Sequence, residues 1–339
     1  MNLEHDIGED TVMTADESLP TTTASTPIPI ESVVPLTPRS HVPQGANLDI
    51  DFVPRRGGGH ANLKDQPDRL RTICTDAFED VFQHFCTTSA YEGSHTNHHN
   101  WVRNRLIVTA AIRDDDEIRG RLTNDDVYAR NVSSLILNRV QGWRSKVFTG
   151  AISKINSAYK LDGFTDVAER KATIDKLLTW DKSYTYTFPF DSPETRRPVK
   201  SKPYILSIFT DILSPLFKMA SAAQVHMEFK CSDDNELELP IAILALSATM
   251  VYAALDYDRR GWLNGTKRRP AFNSDVYHEV YTYNVQQLES MRTKPLTKTA
   301  CHALLQRLLQ QLVIKQEDEN KAPQPAPEIE VDIIEIDLD

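Results

Sequence analysis

Residues 240–257 read Pro-Ile-Ala-Ile-Leu-Ala-Leu-Ser-Ala-Thr-Met-Val-Tyr-Ala-Ala-Leu-Asp-Tyr, and this stretch decides the fold. Its apolar run, Ile241 to Leu255, is too short to span a bilayer, which needs about 20 residues. We therefore expect a buried core helix and no membrane association. Pro240 suits the first helical turn, where its missing N–H leaves no hydrogen bond unmade.

Helical periodicity continues on both sides of this stretch and predicts an all-α fold, a single multi-helix globular domain. Two features leave alternatives open. The helix that begins after the capping candidates Thr123 and Asn124 either continues through Ile155 and Tyr159 or is bent or split at Gly142 and Gly150. The segment Tyr184 to Phe190 is a strand or an extended connector. Besides the helix over 240–257, one helix is predicted to begin at Asp68. Further helices are predicted over residues 101–112, 165–180, 204–220, 274–291 and 297–314.

Charge divides the chain into three parts. Residues 1–66 carry 10 acidic and 4 basic side chains and residues 315–339 carry 9 and 2, whereas residues 67–314 have a net charge of +3. The first part is rich in Thr and Pro and has few aromatic residues, which is typical of disorder. We predict a disordered acidic tail over 1–66, an all-helical domain over 67–314 and a disordered acidic tail over 315–339.

The four cysteines are scattered through apolar helical patterns rather than paired by spacing. This distribution predicts a reduced, intracellular protein. The acidic start of the chain lacks the apolar stretch of a secretory signal. We expect a nuclear location, with the cytoplasm as the alternative.

A set of apolar helix positions in the C-terminal half carries a family resemblance. It consists of the segments 203–213 and 239–249, and of Phe229, Gly261, Trp262, Phe272, Tyr277 to Tyr281 and Leu288, with Arg119, Gly120 and the segment 137–159 upstream. This set resembles a helical domain from mushroom-forming fungi, domain of unknown function 6532. The resemblance implies an all-α intracellular domain over roughly residues 68–310, with no agreed activity, and residues 256–269 are richer in charge than its pattern.

Signatures of chemistry are sparse. The sequence lacks a Gly-x-Ser-x-Gly elbow, a phosphate-binding Gly-Lys-Ser/Thr loop and a His-Glu-x-x-His motif. An enzyme of unknown type is therefore the last of three functional hypotheses, after an interaction protein and a nucleic-acid-associated protein. Cys86, His95, His98 and His99 are zinc-type ligands, but their spacing matches no common zinc module and a solvated loop explains them equally well. Asp256 and Asp258 are expected in surface ion pairs. We predict no metal and no cofactor.

A basic cluster supplies the second alternative, nucleic-acid association. Guanidinium groups neutralise phosphates and an indole ring stacks on a base, although the small domain charge supports such binding only weakly. The same cluster also fits a short nuclear import signal. Its residues are Arg259, Arg260, Trp262, Lys267, Arg268 and Arg269.

The leading functional signal is the tail 328–339, Glu-Ile-Glu-Val-Asp-Ile-Ile-Glu-Ile-Asp-Leu-Asp. Its alternating acidic and branched apolar residues resemble a SUMO-interacting motif, with Val331, Ile333, Ile334 and Ile336 as partner-binding residues. Such a motif adds as a strand to the edge of a partner sheet, and its acids complement a basic rim. SUMO or another strand-accepting protein is therefore the predicted partner, and self-pairing of the tail is the alternative.

Upstream of the tail, residues 314–317 read Ile-Lys-Gln-Glu, which looks like a SUMO-acceptor site with Lys315 as the modified residue. We expect the last helix to end at Ile314, which would leave Lys315 accessible to a conjugating enzyme.

Overall fold

The computed structural model describes residues 49–55, 60–91, 95–179, 185–190, 199, 202–222, 229, 236–262, 272 and 275–321. The predicted all-α class is confirmed, because these ranges contain nine α-helices and no β-strand. The helices are α1 (Asp68–Thr87), α2 (His95–Ile112), α3 (Asp116–Asn124), α4 (Asp126–Tyr159), α5 (Val167–Leu178), α6 (Ser207–Ala222), α7 (Ile241–Arg259), α8 (His278–Thr293) and α9 (Pro295–Lys321).

Helix α7 is the centre of the core. Pro240 precedes its first turn, and every side chain of the helix except Tyr252 and Arg259 is buried. It contacts α1, α4, α5, α6 and α8, so neighbours cover it on all sides. By length and apolar content α7 also passes as a membrane span, but 94% of its apolar window is buried within the fold. It is a core helix, as the sequence predicts.

Helix α4 runs without interruption for 34 residues and packs against α2, α6 and α7. Its N-cap is Asp125 rather than Thr123 or Asn124: the Asp125 carboxylate accepts a hydrogen bond from Tyr128 N at 2.9 Å. Gly142 and Gly150 do not split it, because packing along its length outweighs the roughly 1 kcal/mol helix cost of a glycine. The alternative of one continuous helix is therefore the correct one.

An aromatic cluster joins α1 to α4. The ring of Trp143 lies 4.0 Å from that of Phe82 and 4.9 Å from that of Phe78, centroid to centroid, and Phe85 is 5.9 Å away. Tilted aromatic pairs at these distances contribute about 0.5–1.5 kcal/mol each beyond their buried area. These apolar side chains of α1 therefore pack against α4.

The packed body extends beyond the predicted domain limits at both ends. Ile50 is only 2% exposed and its carbonyl accepts a 2.8 Å hydrogen bond from the Tyr128 hydroxyl, so the fold begins before residue 67. At the other end, α9 continues past Ile314 to Lys321 and packs on α6 and α8. The rest of the two predicted tails lies outside the described residues.

Three local predictions differ from the structure. A short 3-10 helix, Thr185–Thr187, occupies the segment predicted as a strand or extended connector, and the nine-residue helix α3 was not predicted. The histidine-rich stretch predicted as a loop opens helix α2. Cys74, Cys86 and Cys301 are buried free thiols, while Cys231 lies outside the described residues.

Candidate functional site

The predicted partner-binding residues of the tail, Val331, Ile333, Ile334 and Ile336, lie outside the described residues. Lys315, the predicted modification site, is described. It lies within α9, and its Nζ donates a 2.7 Å hydrogen bond to Asp211 of α6. The acceptor motif is therefore helical and its ammonium group is ion-paired, in contrast to the expected frayed end.

The basic cluster is divided in the same way, since Lys267, Arg268 and Arg269 lie outside the described residues. Arg259 and Arg260 both form ion pairs with Asp256, and Arg259 also contacts Asp175. The carboxylate of Asp256 is almost fully buried, and the two arginines neutralise it. Two of the predicted phosphate-binding cations are thus engaged within the fold.

Trp262 is half-buried rather than free to stack on a base. Its ring meets that of Tyr257 edge-on at 4.8 Å, and the guanidinium of Arg260 lies 5.0 Å from its centre. Both partners belong to the same helix end, so Trp262 contributes to the packing there. Stacking on a nucleobase would compete with these contacts.

The carboxylates of Asp256 and Asp258 are buried within their ion pairs, which corrects the expectation of surface pairs. Each carboxylate side chain is 2% exposed. Asp258 accepts from Arg170 of α5 at 2.5 Å, and Asp256 accepts from the Tyr277 hydroxyl at 3.0 Å. Burial and the nearby Asp256 charge raise the pKa of Tyr277, so its hydroxyl stays protonated and donates. The arrangement stabilises the end of α7.

Among the described side chains, the zinc-type ligands Cys86, His98 and His99 do not form a cluster, and the side chain of His95 lies outside those described. Cys86 is fully buried in α1 and His98 is buried in α2, and burial raises the pKa of the Cys86 thiol well above its usual range. Metal binding requires the thiolate. Within the described ranges, no group of three or more His, Cys, Asp or Glu side chains is placed to hold a metal ion.

A polar cleft lies between α2 and α4. Among its lining residues are His99, Arg103, Asp126 and Ser133, and its volume is about 710 Å³. A serine nucleophile needs a base within hydrogen-bond distance. The buried Ser133 hydroxyl has no hydrogen-bond partner in the part of the chain that the structure describes, so the cleft does not contain an activated nucleophile.

The second depression, of about 500 Å³, is the more distinctive one, and we call it the α8–α9 cavity. It is bounded by α8, α9, the end of the 3-10 helix and the segment 202–205, and apolar atoms form most of its lining. Its residues are Thr187, Phe188, Lys202, Pro203, Tyr204, Ile205, Tyr283, Asn284, Gln287, Met291, Thr297, Ala300, Ala303, Leu304 and Arg307. None of these residues is predicted as a site from the sequence, because no local motif joins them.

A buried hydrogen-bond network forms the floor of the α8–α9 cavity. The Tyr204 hydroxyl donates to Asn284 Oδ1 at 3.1 Å. The Asn284 amide in turn donates to the Tyr186 hydroxyl at 3.1 Å and to the Val280 carbonyl at 2.8 Å. Burial raises the pKa of Tyr204 well above its usual range, so this hydroxyl is a donor at any physiological pH.

Tyr204 is held in an unusual backbone conformation. Its φ is 56°, in the left-handed region that a bulky side chain seldom adopts. Its N–H donates to the Thr187 carbonyl at 2.6 Å, and its ring packs 5.6 Å from that of Phe209. Such strain costs about 1–3 kcal/mol and persists only where surrounding contacts fix it. The position of the Tyr204 hydroxyl is thus fixed by both backbone and side chain.

These observations define the class: an all-helical domain with a small-molecule-sized apolar cavity beside α8 and α9, the last two helices that the structure describes. A family profile, Domain of unknown function (DUF6532), matches residues 77–291. The chain therefore belongs to that family, which confirms the resemblance seen in the sequence. No curated protein and no solved structure matches the chain.

Proposed function

We propose that this chain is a non-enzymatic, nuclear interaction protein whose C-terminal tail adds as a strand to the sheet edge of a partner, SUMO. The observation that carries the proposal is the alternation of acidic and branched apolar residues over 328–339. Val331, Ile333, Ile334 and Ile336 are the residues that enter the apolar groove of the partner.

The physical chemistry of strand addition supports this assignment. β-branched side chains favour the extended backbone, whose N–H and C=O groups supply the affinity. The flanking carboxylates complement a basic rim and accelerate encounter. A tail that served only solubility would gain nothing from five β-branched apolar residues, since these lower solubility.

The length of chain between α9 and the tail adds support. Helix α9 ends at Lys321, and six residues separate it from Glu328. Six residues span at most about 20 Å. This length is enough to keep the strand clear of α9 when a partner sheet binds it.

Lys315 remains the proposed modification site, with a condition that the structure adds. Its ammonium is paired with Asp211, so conjugation requires that this pair and the last turns of α9 open. We expect Asp211→Asn to increase modification of Lys315 in a reconstituted conjugation reaction. Lys321→Arg is the control that leaves the pair intact.

Nucleic-acid association through the basic loop is less favoured as a function. The ion pairs of Arg259 and Arg260 with Asp256 remove two of its five cations. Phosphate contacts would need to displace a buried carboxylate, which is costly.

Titration of ¹⁵N-labelled SUMO with the full-length protein tests the proposal. We expect shifts along one edge strand of SUMO that saturate, and their loss in the variant Ile333→Ala/Ile334→Ala. A variant with residues 328–339 in scrambled order keeps composition and charge and is the control. Equal shifts with the alanine variant or the scrambled tail would refute strand addition.

A further inference from the structure

The α8–α9 cavity has the dimensions of a small-molecule site. Its volume of about 500 Å³ falls in the range of about 300–1,000 Å³ that is typical of such sites. We propose that it binds a small organic anion, namely an apolar ring system that carries one carboxylate or sulfonate group. This binding site is separate from the tail and does not depend on the function proposed for it.

The walls of the cavity select an apolar body for the ligand. Seven of the lining residues are apolar, and Leu304 is buried while Ala300 and Ala303 are exposed at the mouth. Small side chains at two successive turns of α9 leave the space that a ring system would fill. The apolar lining residues are Phe188, Pro203, Ile205, Met291, Ala300, Ala303 and Leu304.

The charges at the mouth select an anion. Among the residues that the structure describes, Lys202 and Arg307 are the charged ones that line the cavity, and both are exposed. Neither forms an ion pair within the described residues, whereas most arginines of the body do. Arg307 offers a planar fork that matches a carboxylate or sulfonate, and Lys202 adds a second positive charge.

The floor is prepared for an apolar ligand. Asn284 already uses its oxygen and both amide hydrogens within the network with Tyr186, Tyr204 and Val280. A ligand that excludes water from the cavity therefore leaves no Asn284 group unsatisfied, and it avoids the usual desolvation cost. The strained backbone of Tyr204 fixes this floor before any ligand binds.

One competing occupant belongs to the same chain. The tail 328–339 is both apolar and acidic, so it shares the chemistry proposed for the ligand. Its alternating carboxylates carry several charges, however, whereas the mouth offers two cations. The proposal therefore commits to a free small anion, and occupation by the tail is an outcome that the test must separate.

Two dyes with almost the same ring system provide the test on the full-length protein. Anilinonaphthalene sulfonate has the proposed chemistry, and N-phenyl-1-naphthylamine lacks only the anionic group. We expect one saturable site for the sulfonate dye, by fluorescence titration and by calorimetric stoichiometry. The double variant Lys202→Gln/Arg307→Gln should lower the affinity for the sulfonate dye by about tenfold or more. Its affinity for the neutral dye should stay within about twofold of wild type.

Matched variants separate the cavity from the rest of the surface. Lys154→Gln/Lys171→Gln removes two exposed lysines elsewhere and should leave both dyes unaffected. Ala303→Trp fills the mouth from an exposed helical position and should abolish binding of both dyes, with an unchanged melting temperature to show that the fold is intact.

Three results would overturn the proposal. They are the absence of a single saturable site, an equal loss of both dyes in Lys202→Gln/Arg307→Gln, and a marked gain in dye affinity when residues 322–339 are deleted. The last result would assign the cavity to the tail. The first two do not bear on binding of the tail to SUMO, which the titration above measures.

Discussion

Helices α7 and α9 are both long and rich in leucine and alanine, yet they meet opposite environments. Helix α7 is covered on all sides, whereas α9 buries one stripe and exposes most of its other described side chains, including Leu296 at 98%. The buried stripe of α9 consists of Cys301, Leu304, Leu305, Leu308, Leu309 and Leu312. The difference indicates that α7 supports stability, while the outer face of α9 is available for binding.

The ion pair at the end of α7 gives the largest expected effect. Arg170→Met leaves the Asp258 carboxylate buried without its cation and should lower the free energy of unfolding by about 3–5 kcal/mol in urea denaturation. Asp258→Leu in the same background should restore much of the loss. Arg292→Met removes a half-exposed pair on α8 and is the control, expected below about 1 kcal/mol. Equal losses of unfolding free energy in Arg170→Met and Arg292→Met would contradict the expected difference between the buried and the exposed ion pair.

Truncation of one leucine in each helix compares their packing directly. Leu246→Ala in α7 opens a cavity around a fully buried side chain and should cost about 3 kcal/mol. Leu296→Ala in α9 should change stability by less than about 0.5 kcal/mol. Both are measured as midpoint shifts at constant m-value. A large effect at Leu296 would mean that the exposed face of α9 is covered in solution.

Alkaline pH probes the inner stripe of α9. Burial raises the pKa of the Cys301 thiol from 9.0 to about 11, so the thiol ionises more readily in the unfolded chain. Its contribution to stability is complete below pH 9 and is lost as the pH rises through 11. At pH 10.5 we expect wild type to have lost about 2 kcal/mol that Cys301→Ala does not lose. Denaturation of both at pH 8 and pH 10.5 measures the difference.

The smallest effect is expected at the outer end of α9. Lys315→Met removes a pair with Asp211 in which both side chains are about one-third exposed. Such pairs contribute about 0.2–1 kcal/mol and weaken with salt. The melting temperatures of variant and wild type should differ in 0.05 M salt and become equal in 0.5 M salt. A loss that persists at high salt would show that Lys315 packs through its alkyl chain.

Periodicity accounts for most of the fold that the sequence predicts. The stripe of α1 and the apolar run of α7 are strong signals because burial selects them along the whole helix. Helix α3 was missed since only Ile118 and Leu122 of its nine residues are buried. The end of α9 was predicted seven residues early, because the polar residues after Ile314 resemble a linker.

The sites were less predictable, for a different reason. The burial of Asp258 depends on Arg170, which lies 88 positions away, and no local pattern reveals that pairing. The α8–α9 cavity is likewise assembled from four separate segments. Asn284 and Tyr204 lie in ordinary helical and turn sequences, and only their tertiary network distinguishes them.

The reach of α9 also separates two meanings of a domain in this chain. The family profile covers residues 77–291 and stops before α9, although α9 supplies six buried side chains to the core. Ile50, which precedes the matched residues, is also buried in the core. The segment that the family profile matches is therefore smaller than the segment that folds. A fragment trimmed to the family limits would expose the apolar faces of α6 and α8, and we expect it to aggregate when expressed alone.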